Sequence, residues 1–136
     1  MEKIFFTVII PNYNNEKWLT KCLDSIYNQT FKDYKVVVID DVSTDNSCEI
    51  IENHPLDLTL IRLDHKAYNG GSRNKGIRYD IPSKYTMFID SDDWIHPESL
   101  ERLYHAAVDC GTKISIAGYQ ETAGEIPEIQ PEQLKV

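Results

Sequence analysis

The amino-acid sequence predicts an α/β domain in which helices cover both faces of a mostly parallel sheet, a three-layer α/β/α arrangement. Apolar runs of the kind that form buried strands in parallel sheets occur at residues 4–10, 36–39 and 85–89. Between these runs lie segments whose apolar residues recur every three or four positions, as they do on helices with one buried face. This alternation of strands and helices indicates right-handed βαβ units.

In chain order, the first predicted strand covers residues 4–10 and ends before Pro11. The asparagines that follow Pro11 are N-cap candidates for an amphipathic first helix. A second strand covers residues 34–39, and the cap candidates for a short second helix are Ser43, Thr44 and Asp45.

In the second half, a third strand is predicted over residues 58–63, and a glycine-containing turn at 69–76 leads into a short third helix. The fourth strand ends at Ile89, and a fourth helix has Pro97 at its first position. Residues 113–117 are a candidate fifth strand.

The length of 136 residues suits one domain, which we expect over residues 1–120, followed by a polar tail over 121–136. A net charge of −8 argues against a nucleic-acid partner. The three cysteines have no zinc-ligand spacing, and the apolar N-terminal run is too short to span a bilayer. We therefore expect a cytoplasmic protein with reduced thiols, which at most lies peripherally at the inner face of a membrane.

Polar side chains follow three of the predicted strands. Pro11 and Tyr13 follow the first strand, Asp40 and Asp41 the second, and an acidic cluster at 90–93 the fourth. In a sheet ordered 3-2-1-4 these three strand ends are neighbours. Because open α/β sheets bind ligands at the carboxyl ends of their strands, the sequence predicts a ligand site on this rim.

The acidic cluster contains three carboxylates within four residues and is followed by Trp94. Because a strand alternates its side chains, Asp90 and Asp92 are predicted to point to the same side, with Cα atoms roughly 6–7 Å apart, where they can bind one hard cation. The alternative is an acidic turn that caps the next helix.

The other two strand ends offer groups that suit a nucleotide. Tyr13 has an aromatic face for a base, and Asp40 or Asp41 can accept the imide N–H of a uracil. Arg73 can direct its charge toward a phosphate or a base. Each residue also has a structural alternative: a packed loop aromatic, a helix cap or a surface arginine. Their convergence on one rim favours the nucleotide site.

Five segments of the sequence carry a family resemblance: VIIPNYN at 8–14, LDSIYNQT at 23–30, VIDDVSTDNS at 38–47, NGGSRNKG at 69–76 and FIDSDDW at 88–94. These segments closely resemble the nucleotide-binding half of the family-two, inverting glycosyltransferases. Together they are specific, and the resemblance extends from Thr7 to Tyr119. It implies the GT-A fold, which is Rossmann-like in its nucleotide-binding half.

The resemblance also implies a nucleotide-diphosphate-sugar donor, often UDP-linked, and a glycan or glycolipid acceptor, as in polysaccharide biosynthesis. Asp90 and Asp92 match the Asp-x-Asp element that binds ribose and a divalent metal, Mn²⁺ or Mg²⁺. The other donor-binding positions that it implies are Pro11, Tyr13, Asp40, Asp41, Gly70, Arg73 and Asn74.

The sequence departs from the family pattern in two places. The family's catalytic base and acceptor-binding segments come well after the acidic strand end, whereas 43 residues follow Asp93 here and contain no matching segment. No catalytic residue is therefore assigned. Three alternatives stay open: a donor-binding fragment, a truncated protein, and a site completed by a homo-oligomer or a missing C-terminal segment. Val42 stands where the family has glycine, so we expect that turn to be built differently.

Two other classes of function compete with the glycosyltransferase. A non-catalytic nucleotide-sugar-binding module predicts the same site without turnover. A phosphotransferase or receiver-like domain would need its aspartates or a phosphate-binding glycine loop after the first strand. Residues 11–16 contain no glycine, and the chain has no GK[ST] sequence, so the sequence argues against that class.

Overall fold

The computed structural model describes residues 4–79 and 81–110, and it confirms the predicted α/β class. Within these ranges the strands are β1 (Ile4–Asn12), β2 (Tyr34–Asp40), β3 (Leu58–Arg62) and β4 (Ser83–Phe88). The helices are α1 (Glu16–Tyr27), α2 (Ser47–Asn53), α3 (Tyr68–Arg78) and α4 (Ser99–Cys110). The candidate fifth strand and the polar tail lie outside the described residues.

All described strands are parallel and have the predicted order β3-β2-β1-β4. The central strand β1 is the most deeply buried, and Val8, Ile9 and Ile10 have no solvent exposure. The register pairs Asn12 with Asp40, so the polar residues that end β1 and β2 lie side by side.

Helices lie on both faces of the sheet because successive β1 side chains point in opposite directions. Val8 and Ile10 belong to the larger core cluster, which includes Leu19 and Leu23 of α1. Ile9 belongs to the smaller cluster on the other face, where α3 lies against β1 and β2. None of the helices within residues 4–79 and 81–110 is long and apolar enough to cross a membrane.

The start of α3 corrects the sequence-based interpretation of residues 69–76. The helix begins at Tyr68, so Gly70 lies in its first turn and not in a preceding loop. Low helix propensity favoured a turn at the glycines. In the structure the backbone N–H groups of Ala67 and Tyr68 donate to the Asp41 carboxylate, which stabilises the helix start.

The fourth strand is less buried than its apolar sequence predicts. Alternate residues of β4 are exposed, and Phe88 keeps 41% of its surface accessible. Among the described residues, β4 is an edge strand of the sheet, whereas α3 lies against the inner strands β1 and β2. The following helix starts at Ser99, two residues after Pro97 and not at it.

Candidate functional site

The acidic cluster is a turn and not a continuation of β4. The strand ends at Phe88, and the backbone N–H of Asp93 donates to the carbonyl of Asp90 at 3.0 Å. The predicted strand alternation through Asp90 and Asp92 was therefore wrong. The turn itself brings the carboxylates together: one oxygen from each of Asp90, Asp92 and Asp93 lies within 4.8 Å of the others.

The electrostatics of this turn are dominated by negative charge. Partial burial, then repulsion from Asp92 and Asp90, raises the pKa of Asp93 above its ordinary value. Burial together with the three carboxylates raises the pKa of the Cys22 thiol, which lies behind the turn, to about 12. Arg73 supplies a counter-charge by donating from Nη2 to an oxygen of Asp90 at 2.8 Å.

These residues fit a divalent metal. Three carboxylates in contact distance of one cation, with one guanidinium beside them, leave negative charge for a hard ion to neutralise. Mn²⁺ and Mg²⁺ prefer oxygen ligands, and Mg²⁺ is usually bound by one or two carboxylates together with substrate phosphates. Asp93 joins the predicted pair, Asp90 and Asp92, as a third candidate ligand.

A side chain from the β1–α1 loop fixes the acidic turn. Asn15 donates from Nδ2 to the hydroxyl of the buried Ser91 at 2.8 Å, so the expectation that its side chain caps α1 was wrong. The cap is supplied instead by Asp45, whose carboxylate accepts the backbone N–H of Glu16 and that of Ser47. Asp45 thus stabilises the starts of α1 and α2 together, and its predicted capping role is confirmed.

Gln29 positions the segment that leaves the acidic turn, a role that neither periodicity nor spacing predicts. Its side chain is 1% exposed. Nε2 donates to the carbonyls of Ser25 and His96, and Oε1 accepts the N–H of Leu100 in α4. The Ser25 hydroxyl accepts the N–H of Ile95 nearby. The segment LDSIYNQT, which carried part of the family resemblance, is the signal that marked these residues.

The acidic pair after β2 is buried, and the two carboxylates have different partners. Asp40 accepts hydrogen bonds from Nδ2 of Asn12 and from the backbone N–H and hydroxyl of Ser43. Its carboxylate therefore holds the ends of β1 and β2 together.

Asp41 faces α3. Its oxygens accept the N–H groups of Ala67 and Tyr68, both at 2.7 Å, and lie 3.1 Å from Nζ of Lys66. Burial acts to raise the pKa of Asp41, but these hydrogen bonds and the lysine charge outweigh it and lower the pKa. Asp41 is therefore held as an anion.

Val42, the residue after the pair, has a φ of 62°, a left-handed conformation. The expectation for this turn rested on a β-branched residue avoiding positive φ, and that premise was wrong for Val42. The hydrogen bonds of Asp40 to Ser43 and of Asp41 to α3 impose the conformation on a β-branched residue.

Tyr13 extends from the end of β1 with 45% of its surface exposed. The ammonium of Lys66, which sequence reasoning did not single out, lies 2.9 Å from the centroid of its ring. The same ammonium pairs with Asp41, so Tyr13, Lys66 and Asp41 form one contiguous group.

The helix α3 connects this group with the acidic turn. The N–H groups of Ala67 and Tyr68 at its start contact Asp41. Arg73, about 7.5 Å from Tyr68 along the helix axis by the rise per residue, contacts Asp90. Gly70 and Asn74 lie exposed on the same helix, whereas Pro11 is buried in β1. The structure therefore brings most predicted site residues to one rim, while the carboxylate of Asp40 is used inside the fold.

The fold and this rim define an α/β domain of the class that binds ligands where parallel strands end. A family model described as glycosyl transferase family 2 matches residues 7–135, and the chain belongs to this family. GlyA, a glycosyltransferase of Streptococcus pneumoniae serotype 4, is 40% identical over 115 residues, which are 83% of this chain and 16% of GlyA.

Solved structures show the same fold. TarS from S. aureus in complex with UDP-GlcNAc superposes with a TM-score of 0.82 at 30% identity, covering 91% of this chain and 37% of that chain. The mannosyltransferase PcManGT from Pyrobaculum calidifontis, in complex with GDP-Man and Mn²⁺, has a TM-score of 0.69 at 27% identity. This match covers 80% of this chain and 34% of PcManGT. The chain spans less than two fifths of each of these proteins.

Proposed function

We propose that this chain holds the donor-binding part of a glycosyltransferase that transfers a sugar from a UDP-linked donor to a glycan or glycolipid acceptor. The observation that carries the proposal is the convergence of Asp90, Asp92 and Asp93 at the end of β4, on the rim that also holds Tyr13 and Asp41. The complexes of TarS with UDP-GlcNAc and of PcManGT with GDP-Man and Mn²⁺ support it.

The donor is proposed to extend along α3. Its base lies on the ring of Tyr13, above the buried Pro11, with Asp41 as the hydrogen-bond acceptor. Its diphosphate points toward the acidic turn, where Arg73 can offer N–H donors to a phosphate oxygen. Gly70 and Asn74, exposed on α3, line the path between the two ends.

Asp90 and Asp92, with Asp93 beside them, are the residues that would hold Mn²⁺ or Mg²⁺. A divalent ion bound there supplies Lewis-acid stabilisation of the negative charge that builds up on the leaving diphosphate. The chain itself contributes two positioning effects. The Asn15–Ser91 hydrogen bond fixes the turn, and Arg73 holds one oxygen of Asp90. Inversion needs a carboxylate that deprotonates the acceptor hydroxyl, and the proposal assigns that base to no residue described here.

Calorimetric titration of UDP and GDP with and without Mn²⁺ tests the proposal. We expect metal-dependent binding of a nucleoside diphosphate that Asp92→Ala abolishes and Tyr13→Ala weakens. Asp57→Ala is the matched control, because Asp57 is exposed and pairs with Lys35 away from this rim. Tight binding in EDTA, or absence of binding in Mn²⁺, would refute the site.

A further inference from the structure

Lys66 places its ammonium between two aromatic rings and a carboxylate. Its Nζ lies 2.9 Å from the centroid of the Tyr13 ring, 5.4 Å from that of Tyr68 and 3.1 Å from an oxygen of Asp41. Nζ also donates to the backbone carbonyl of Asp41 at 3.3 Å. The side chain is 31% exposed, so most of its surface is buried.

These neighbours are the groups that a nucleotide base would use. A base stacks on an aromatic face, and its imide N–H needs an anionic or carbonyl acceptor such as Asp41. Stacked rings need about 3.5 Å between their carbon atoms. A nitrogen 2.9 Å from the ring centroid fills that space on its side of Tyr13, so the ammonium and a base cannot share it.

We propose that Lys66 occupies the base position in the free protein, and that the base binds by displacing the ammonium from Tyr13 and Asp41. This inference rests on the proposed donor site and adds an internal competitor to it. Displacement leaves the site formed, because Asp41 stays fixed by the N–H groups of Ala67 and Tyr68. The vacated space is bordered by the ring of Tyr68, which offers a second aromatic surface to the base.

The competition predicts that removing the lysine side chain strengthens base binding. Loss of one cation–π contact and one partly exposed ion pair corresponds to about a two- to tenfold change in affinity. The change in UDP affinity alone would not separate this effect from that of removing a positive charge near the phosphates. Uridine is uncharged and reports the base position, whereas ribose 5-phosphate has the sugar and a phosphate but no base.

The experiment compares wild type, Lys66→Ala and Lys35→Ala by NMR titration with uridine and ribose 5-phosphate, and by calorimetry with UDP in Mn²⁺. Lys35→Ala is the matched control, since Lys35 lies at the start of β2 and pairs with Asp57. We expect Lys66→Ala to bind uridine about two- to tenfold more tightly than wild type and to bind ribose 5-phosphate no more tightly. Lys35→Ala should match wild type with both ligands.

Uridine affinity that is unchanged or weaker in Lys66→Ala would overturn the displacement of Lys66. If UDP still binds in a manner that needs Asp92 and Mn²⁺, the donor site stands and only the competition is refuted. If wild type and both variants bind neither uridine nor UDP, the donor site and the competition are refuted together.

Discussion

The guanidinium of Arg73 lies 2.8 Å from a carboxylate oxygen of Asp90, and this contact joins the middle of α3 to the turn after β4. Both side chains are accessible, with 35% and 50% exposure, so the pair contributes little to folding. Its larger effect is electrostatic. Arg73 lowers the negative potential at the three clustered carboxylates and therefore competes with any cation that they bind.

We predict that Arg73→Gln strengthens the binding of Mn²⁺ in the absence of nucleotide by about two- to fivefold, since it removes one positive charge beside the carboxylates. Electron paramagnetic resonance of free Mn²⁺ measures this directly. Arg73→Lys keeps the charge and should resemble wild type. Equal Mn²⁺ affinities in the Gln variant and wild type would show that Arg73 does not act on the metal position.

Alanine substitutions at two glycines of α3 test the effects of packing and of helix propensity on stability separately. A Cβ on Gly76 would overlap Cγ2 of Ile9 in the central strand, whereas a Cβ on Gly70 would meet no heavy atom within 4 Å. Gly76→Ala is therefore expected to lower the free energy of unfolding by about 1–3 kcal/mol through overpacking. Gly70→Ala should raise it by about 0.5–1 kcal/mol, because alanine loses less entropy in a helix. Urea denaturation compares them, and equal effects would contradict the predicted close packing of α3 on β1.

Hydrophobic periodicity is a local property, so the sequence predicted the strands themselves. Because parallel strands align their carboxyl ends, the sequence also predicted the rim positions of Tyr13, Asp41 and Asp90. The same reasoning failed for the start of α3. Local propensity favoured a turn at Gly70, but a carboxylate 26 residues earlier in the chain stabilises the first helical turn.

The contacts of Gln29 and Lys66 could not be predicted from the sequence for a related physical reason. Gln29 accepts its hydrogen bond from Leu100, 71 residues away. Lys66 meets Tyr13 because the segment after β3 passes the end of β2, where Lys66 also contacts Asp41, and so reaches the residue that follows β1. No periodicity or spacing in the sequence encodes such contacts between distant segments.

Val42 provides a test of backbone strain. The left-handed conformation, φ 62°, costs an L-residue about 1–2 kcal/mol, and a β-branched side chain tolerates it poorly. Val42→Gly should raise the free energy of unfolding by about 1 kcal/mol, and Val42→Asn should show part of this gain. The side chain of Val42 is 38% exposed, so little packing is lost. Destabilisation by both changes in urea denaturation would contradict a strained turn.

Gln29 is predicted to be among the most sensitive polar side chains of the described fold. Gln29→Ala leaves the Leu100 N–H and two carbonyls without their buried partner and should cost about 2–4 kcal/mol of unfolding free energy. Thr20→Ala, at an exposed position of α1, is the control and should change stability by less than about 0.5 kcal/mol. Thermal or urea denaturation gives both values, and similar values would show that the hydrogen bonds of Gln29 are replaced by water.

Asp93 links the acidic turn to the pH dependence of stability. Burial and the charges of Asp92 and Asp90 raise its pKa in the folded state above the ordinary value of 3.8. Between these two pKa values the folded protein binds more protons than the unfolded chain, so stability falls as the pH rises through this window.

Asp93→Asn removes the repelled charge and should raise the melting temperature at pH 7, by the equivalent of less than about 1 kcal/mol because the exposed carboxylate is screened. The advantage should disappear below pH 3.8, where the wild-type carboxyl is protonated in both states. Mn²⁺ bound at the proposed site would neutralise the same repulsion, so it should stabilise wild type more than Asp93→Asn at pH 7. A variant that melts below wild type at pH 7 in the absence of metal would show that the carboxylate of Asp93 is stabilised by the turn and not repelled by it.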